Sequence, residues 1–292
     1  MEGNLLCLGY GYSAQALARS LLLKGWQVTG TTRRPERLAR IRSSGATALL
    51  WPGTDMALAL GTASHILVSA APDEHGDPVL RVLSQDIARA ANRLKWVGYL
   101  STIGVYGDAG GAWVTEDSSI TPSTQRGQRR QLAEAAWRDI PNLPLHIFRL
   151  AGIYGPGRGP FSKLRAGTAR RIIKPGQIFN RIHIDDIVQV LAASIARPKP
   201  SAVYNVCDDN PAPPQDVIAY AAQLLGLPLP PEVEFEDAEM SPMARSFYAE
   251  NKRIRNDRIK TELGVTLYYK DYKEVLQAML QSEHDGEVGQ GD

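Results

Sequence analysis

The first residues with a spacing that can do chemistry are glycines. Gly9-Tyr10-Gly11-Tyr12-Ser13-Ala14 follows the apolar run Leu5-Leu6-Cys7-Leu8 and leads into a stretch that puts Leu17, Leu21 and Leu22 on one helical face. Between a strand and a helix, Gly9 makes the tight turn, Gly11 lets the backbone approach a diphosphate, and Ala14 lets helix and strand pack closely. Tyr12 and Ser13 then stand at a helix start, where free N–H groups and the positive dipole end face an anion. The competing reading is a plain tight turn.

The second strand ends in Thr31-Thr32-Arg33-Arg34, where an acidic side chain would otherwise accept hydrogen bonds from an adenosine ribose. The hydroxyl of Thr32 and the guanidinium groups of Arg33 and Arg34 suit a 2′-phosphate, which predicts NADP in preference to NAD. A solvated basic turn is the alternative. Ala70 and Ala71, at the end of the fourth predicted strand, complete the expected cofactor groove.

Other candidates for chemistry follow later strands. Tyr106, in Val105-Tyr106-Gly107, and Tyr154, in Ile153-Tyr154-Gly155, lie in loops at the carboxyl ends of strands, where ligands meet an open parallel sheet. Each is either a proton donor or a half-buried ring whose hydroxyl finds a partner in the protein. His183 has the same two readings: a group facing the substrate, or a structural histidine paired with Asp185 or Asp186. Arg158, near Lys163 and Arg165, either receives an anionic group or is solvated. The histidines have no metal-ligand spacing, so no metal is predicted.

These residues need a scaffold. Apolar runs at Leu5–Leu8, Trp26–Thr31, Ala46–Leu50, Ile66–Ala70, Trp96–Ser101 and Leu145–Leu150 alternate with helical patterns, including 78–94 and 127–139. Such alternation predicts an α/β fold, a doubly wound parallel Rossmann sheet. A smaller α+β substrate lobe follows. The expected division is a dinucleotide-binding domain over 1–155, with 181–200 returning to it, a substrate lobe over 156–180 and 201–281, and a frayed tail over 282–292.

With 43% hydrophobic and 22% charged residues, the 292-residue chain has an ordinary globular composition. A net charge of +2 with scattered basic residues favours a small-molecule partner over nucleic acid or a membrane surface. Cys7 and Cys207 make neither a metal spacing nor a disulfide framework. No run approaches the ~18 apolar residues of a membrane span, and no secretion signal is recognised, so a cytoplasmic protein is expected.

The chain resembles the extended short-chain dehydrogenase/reductase family of nucleotide-sugar epimerases, dehydratases and related reductases. The resemblance spans nearly its whole length. Its carriers are the glycine loop, Tyr99–Gly107, Arg149–Gly157 and Arg181–Asp186. It implies that Thr102 hydrogen-bonds the reacting oxygen, whereas the residues alone also allow a threonine that satisfies loop backbone.

The family's tyrosine and the lysine four residues after it fall, in the register set by Gly127 and Glu134, on Arg126 and Arg130. Arg130 can donate to ribose hydroxyls. Arg126 can anchor an anionic substrate but cannot shuttle a proton near pH 7, because its pKa exceeds about 12. Two other pairs keep the spacing, Tyr248 with Lys252 and Tyr269 with Lys273, but both come too late in the chain to be expected near a nicotinamide. The segment Asn251-Lys252-Arg253 resembles the place where related enzymes read their substrate.

What the resemblance implies is an atypical NADP-dependent oxidoreductase or epimerase/dehydratase acting on a small polar carbonyl or alcohol. Thr102, Tyr106 and Arg130 would be its catalytic group, and Thr102, Arg126, Tyr154, Arg158 and His183 its substrate contacts. A non-catalytic NADP-binding redox sensor is the other expectation, and a homodimer is expected by analogy.

Overall fold

The structure, a computed structural model, describes residues 3–288. In β1 (Asn4–Leu8) successive side chains leave opposite faces, as a pleated strand requires: Leu5 and Cys7 enter one apolar layer, Leu6 and Leu8 the other. β2 (Gln27–Thr32) gives Val28 to the first layer, and the same division runs through β3 (Thr47–Leu50), β4 (His65–Val68), β5 (Trp96–Thr102), β6 (Leu145–Leu150) and β7 (Val203–Val206). These seven strands form one sheet in the order β7-β6-β5-β4-β1-β2-β3, with every pairing parallel.

Helices cover both faces, which explains why β4 and β6 are buried along their whole lengths. On one side lie α1 (Tyr12–Leu22) and the later helix α4 (Ile184–Ala196), whose Ile187, Val190 and Leu191 join Leu17 and Leu21. On the other lie α2 (Leu80–Ala90) and α3 (Gln125–Arg138), which supply Leu83, Ile87, Ala133 and Trp137. The strand order reverses beside β1, between β2 and β4. That reversal opens a crevice at the carboxyl ends of the strands.

Helix α4 packs beside α1 over this sheet. The boundary expected at residue 201 is corrected, because β7 extends the main sheet from Val203 beside Ile147 to Val206 beside Leu150. Tyr204 stacks on Phe148 with ring centroids 5.8 Å apart, so this strand is anchored by its side chains as well as by its ladder. Farther on, Ile254, Ile259, Leu263 and Leu267 also pack into the α1–α4 layer.

The smaller lobe has its own core of Tyr154, Phe161, Leu164, Val217, Ala221 and Leu276, built largely on α5 (Pro214–Leu224) and α6 (Tyr272–Val288). Helix α6 runs through the start of the segment expected to fray from Ser282; residues 289–292 lie outside the described residues. Among the described residues no helix is long and apolar enough to cross a membrane.

Candidate active site

At the switch point Gly9 takes φ 94°, a conformation that L side chains rarely adopt, and a Cβ there would lie 2.9 Å from Ser69 Oγ. Three hydrogen bonds fix the turn. Gly9 N donates to Thr31 Oγ1 at 2.8 Å, the Thr31 hydroxyl donates to Cys7 O at 3.1 Å, and the Ser69 hydroxyl donates to Gly9 O at 2.7 Å. Thr31 is therefore a buried brace for the loop.

Gly11 differs from Gly9. Its φ of −85° is ordinary, and among the described residues nothing lies within 4 Å of where its Cβ would stand. It precedes α1, which has no side-chain cap, so the first N–H groups of the helix keep no intrahelical or capping partner. Open space above uncapped amides is a fitting cradle for a diphosphate. Beside it, Ala70 N donates to Leu8 O at 3.1 Å, while Ala71 is exposed. Thr32 Oγ1 accepts from Arg34 N at 3.1 Å, and the exposed Arg33 and Arg34 guanidinium groups have no hydrogen-bond or ion-pair partner among the described residues.

A cavity of about 380 Å³ opens past the carboxyl ends of β5 and β6, with Thr102, Arg126, Tyr154, Phe247, Glu250 and Lys252 in its wall. Thr102 ends β5, and its Oγ1 accepts from Gly104 N at 3.2 Å. Its hydroxyl hydrogen is left to donate elsewhere. Arg126 stands in the first turn of α3, which packs closely on the loop after β5: a Cβ on Gly127 would come 2.6 Å from Gly104 O. The Arg126 guanidinium lies over the Phe247 ring, 4.7 Å from its centroid.

Tyr154 reaches the cavity wall, but its hydroxyl donates to Asp208 at 2.8 Å. Burial pushes the Asp208 carboxyl up to about 7 and, together with that neighbour, raises the tyrosine far above its usual range.

Lys252 is a correction to the expectation that it comes too late in the chain. The segment after Phe247 folds back over the loop following β5, and the Lys252 ammonium donates to Gly107 O and to Glu250 Oε2, each at 2.5 Å. The Ser123 hydroxyl donates to the other Glu250 oxygen at 2.8 Å. The lysine of the Tyr248–Lys252 spacing and the Asn251–Arg253 segment were the available signals.

Three other candidates are not among the residues of that wall. Tyr106 is 2% exposed. Its hydroxyl donates to Asn205 Oδ1 at 2.6 Å and accepts from Arg149 Nη1 at 2.9 Å, and burial raises its pKa to about 12, so it is a structural ring and not a proton donor to the cavity. His183 caps α4, with Nδ1 accepting from Asp185 N at 3.3 Å, and its ring packs against Tyr269 at 4.4 Å. Burial lowers its pKa. Arg158 lines a neighbouring cavity with Lys163 and Arg170, and its guanidinium lies 4.4 Å from the centroid of Tyr12, whose hydroxyl donates to Pro156 O at 2.9 Å. Arg130 is engaged as well: Nη1 donates to Tyr99 Oη at 3.0 Å and to Leu100 O at 2.6 Å.

This sheet, with a glycine loop at its switch point and a cavity over β5 and β6, defines a protein with the fold of the NAD(P)-dependent epimerases and dehydratases, the extended short-chain dehydrogenase/reductases. Two solved structures of that kind share it. A UDP-glucuronic acid 4-epimerase from Bacillus cereus in complex with NAD has a TM-score of 0.74 at 17% identity, covering 95% of this chain and 97% of that one. The human epimerase family protein SDR39U1 with NADPH has a TM-score of 0.74 at 18% identity, covering 96% of this chain and 99% of that one.

Nearer relatives lie elsewhere. A functionally unknown conserved protein from Silicibacter pomeroyi DSS is 60% identical with a TM-score of 0.93, over 96% of this chain and 99% of that one. Protein YeeZ of Escherichia coli (strain K12) is 30% identical over 277 residues, 90% of this chain and 95% of its own length. The chain belongs to the YeeZ family. No protein-family profile matches it.

Proposed function

We propose that the chain binds NADP(H) along Gly9–Ala14 and acts as an oxidoreductase of the epimerase/dehydratase kind on a small polar carbonyl or alcohol, sugar-derived or phosphorylated. The observation that carries this reading is the uncapped start of α1 beneath open space at Gly11. The B. cereus and human proteins, solved with NAD and NADPH, support a nicotinamide dinucleotide.

The bound cofactor would supply or accept a hydride at the substrate carbon. The amides of Tyr12 and Ser13 would face the diphosphate, and Thr32, Arg33 and Arg34 the 2′-phosphate. Thr102, whose oxygen already accepts from Gly104 N, would turn its hydroxyl hydrogen to the substrate oxygen. Arg130, whose Nη1 is taken by Tyr99 and Leu100, would offer its remaining N–H groups to the ribose. With Arg126 and Arg130 where the family has tyrosine and lysine, the proton comes from water or another group in the wall, at a cost in rate of ~10² to 10⁴.

The test is NADPH oxidation across sugars, aldehydes and ketones. A responding substrate should lose turnover in Thr102→Ala, and Arg33→Ala with Arg34→Ala should weaken NADPH much more than NADH. A second reading, a non-catalytic NADP-binding sensor, is favoured by one observation: the hydroxyls of Tyr106 and Tyr154 are both committed inside the protein. Tight NADPH binding with no turnover across the panel would select it.

A further inference from the structure

The charges in the cavity wall do not balance. Arg126, Arg181 and Lys252 face it with one carboxylate, Glu250. Arg181 is spent on the protein, since its Nη1 donates to Phe179 O at 3.1 Å and Ala212 O at 3.2 Å, and its charge is offset by buried Asp208. Glu250 is engaged by Lys252 through one oxygen and by Ser123 through the other.

Arg126 has no hydrogen bond or ion pair among the described residues. Its guanidinium lies over an aromatic face with its N–H groups unspent, and of the charges near it Arg130 one turn along α3 repels while Glu250 attracts. Lys252, only 5% exposed, places two of its three ammonium hydrogens on Gly107 O and Glu250. The third remains. Ile103, Leu150, Ile178 and Phe179 add apolar surface to the same wall.

We propose that the cavity takes a small organic oxyanion, a carboxylate or phosphate, whose oxygens are held by the Arg126 fork and the remaining Lys252 hydrogen. The site spans the two lobes, with one cation from α3 and the other from the segment that folds back over β5. This deepens the functional reading above, on which it rests for the cavity being the substrate site, but it does not depend on the cofactor.

Calorimetric titration with pyruvate, D-gluconate and D-glucose 6-phosphate, with uncharged D-glucose as comparator, tests it. At least one anion should bind about tenfold or more tightly than glucose, more weakly as salt rises, and Arg126→Gln should remove about tenfold of that affinity. Arg126 is exposed, so this variant should fold. The ranking of gluconate against glucose 6-phosphate separates carboxylate from phosphate. Glucose binding as well as the anions, no binding of any anion, or full anion affinity in Arg126→Gln overturns the proposal. NADPH titrated into the same preparation reads the cofactor separately: lost NADPH binding with retained anion binding sinks the dinucleotide reading alone.

Discussion

Arg149 on β6 and Glu134 on α3 meet at 2.9 Å with their side chains only 2% and 0% exposed. The pair is the centre of a buried network. Ser101 donates to Glu134 at 2.6 Å, and Arg149 passes the network to Tyr106 and thence to Asn205 on β7. It joins β5, β6, β7 and α3 near the floor of the cavity. Removing the carboxylate leaves a guanidinium buried without a counter-charge, so Glu134→Ala should cost about 3–5 kcal/mol in urea unfolding. A loss below about 1 kcal/mol would contradict a buried, functioning pair.

Tyr106 belongs to that network, and Tyr106→Phe should behave as a packing change that loses hydrogen bonds. A stability loss of about 1–3 kcal/mol is expected, with NADPH affinity unchanged. Stability equal to wild type together with abolished turnover would return Tyr106 to the list of proton donors.

Burial raises the Asp208 carboxyl from its ordinary 3.8 to about 7 and the Asp186 carboxyl to about 6. Over that range the folded chain holds protons that the unfolded chain has released, so these groups make stability fall as pH rises from about 4 to about 7. Asp208→Asn keeps an acceptor for Tyr154 and removes its share. The variant should gain on wild type in urea unfolding between about pH 4.5 and pH 7.5. A gap that does not change with pH, or moves the other way, would contradict the assignment.

The sheet was readable because each strand is short, apolar and bounded by turn residues, and because helical spacing separates it from the next. Leu145–Leu150 and the start of β1 needed no more than that. The place of the last strand, β7, is not legible, because its partner lies more than fifty residues earlier and pairing at that distance leaves no mark in local pattern. The glycine loop was legible for the opposite reason: Gly9, Gly11 and Ala14 lie within one turn. Lys252 was not, since its place depends on a chain reversal held by Asn251 and Asp108, whose Oδ1 accepts Asn251 N at 2.7 Å. Tyr106 and Tyr154 looked alike in sequence, and only their neighbours Arg149 and Asp208 show that each hydroxyl is already taken.

The dinucleotide cradle is tested most directly by comparing NADPH titrations of wild type and Gly11→Val by calorimetry, with urea unfolding of both. Because Gly11 has an ordinary φ and open space at its Cβ, the variant should fold with wild-type stability while its NADPH affinity falls by about tenfold or more. Wild type that takes up neither NADPH nor NADH, or a folded Gly11→Val that binds NADPH as tightly as wild type, would contradict the account.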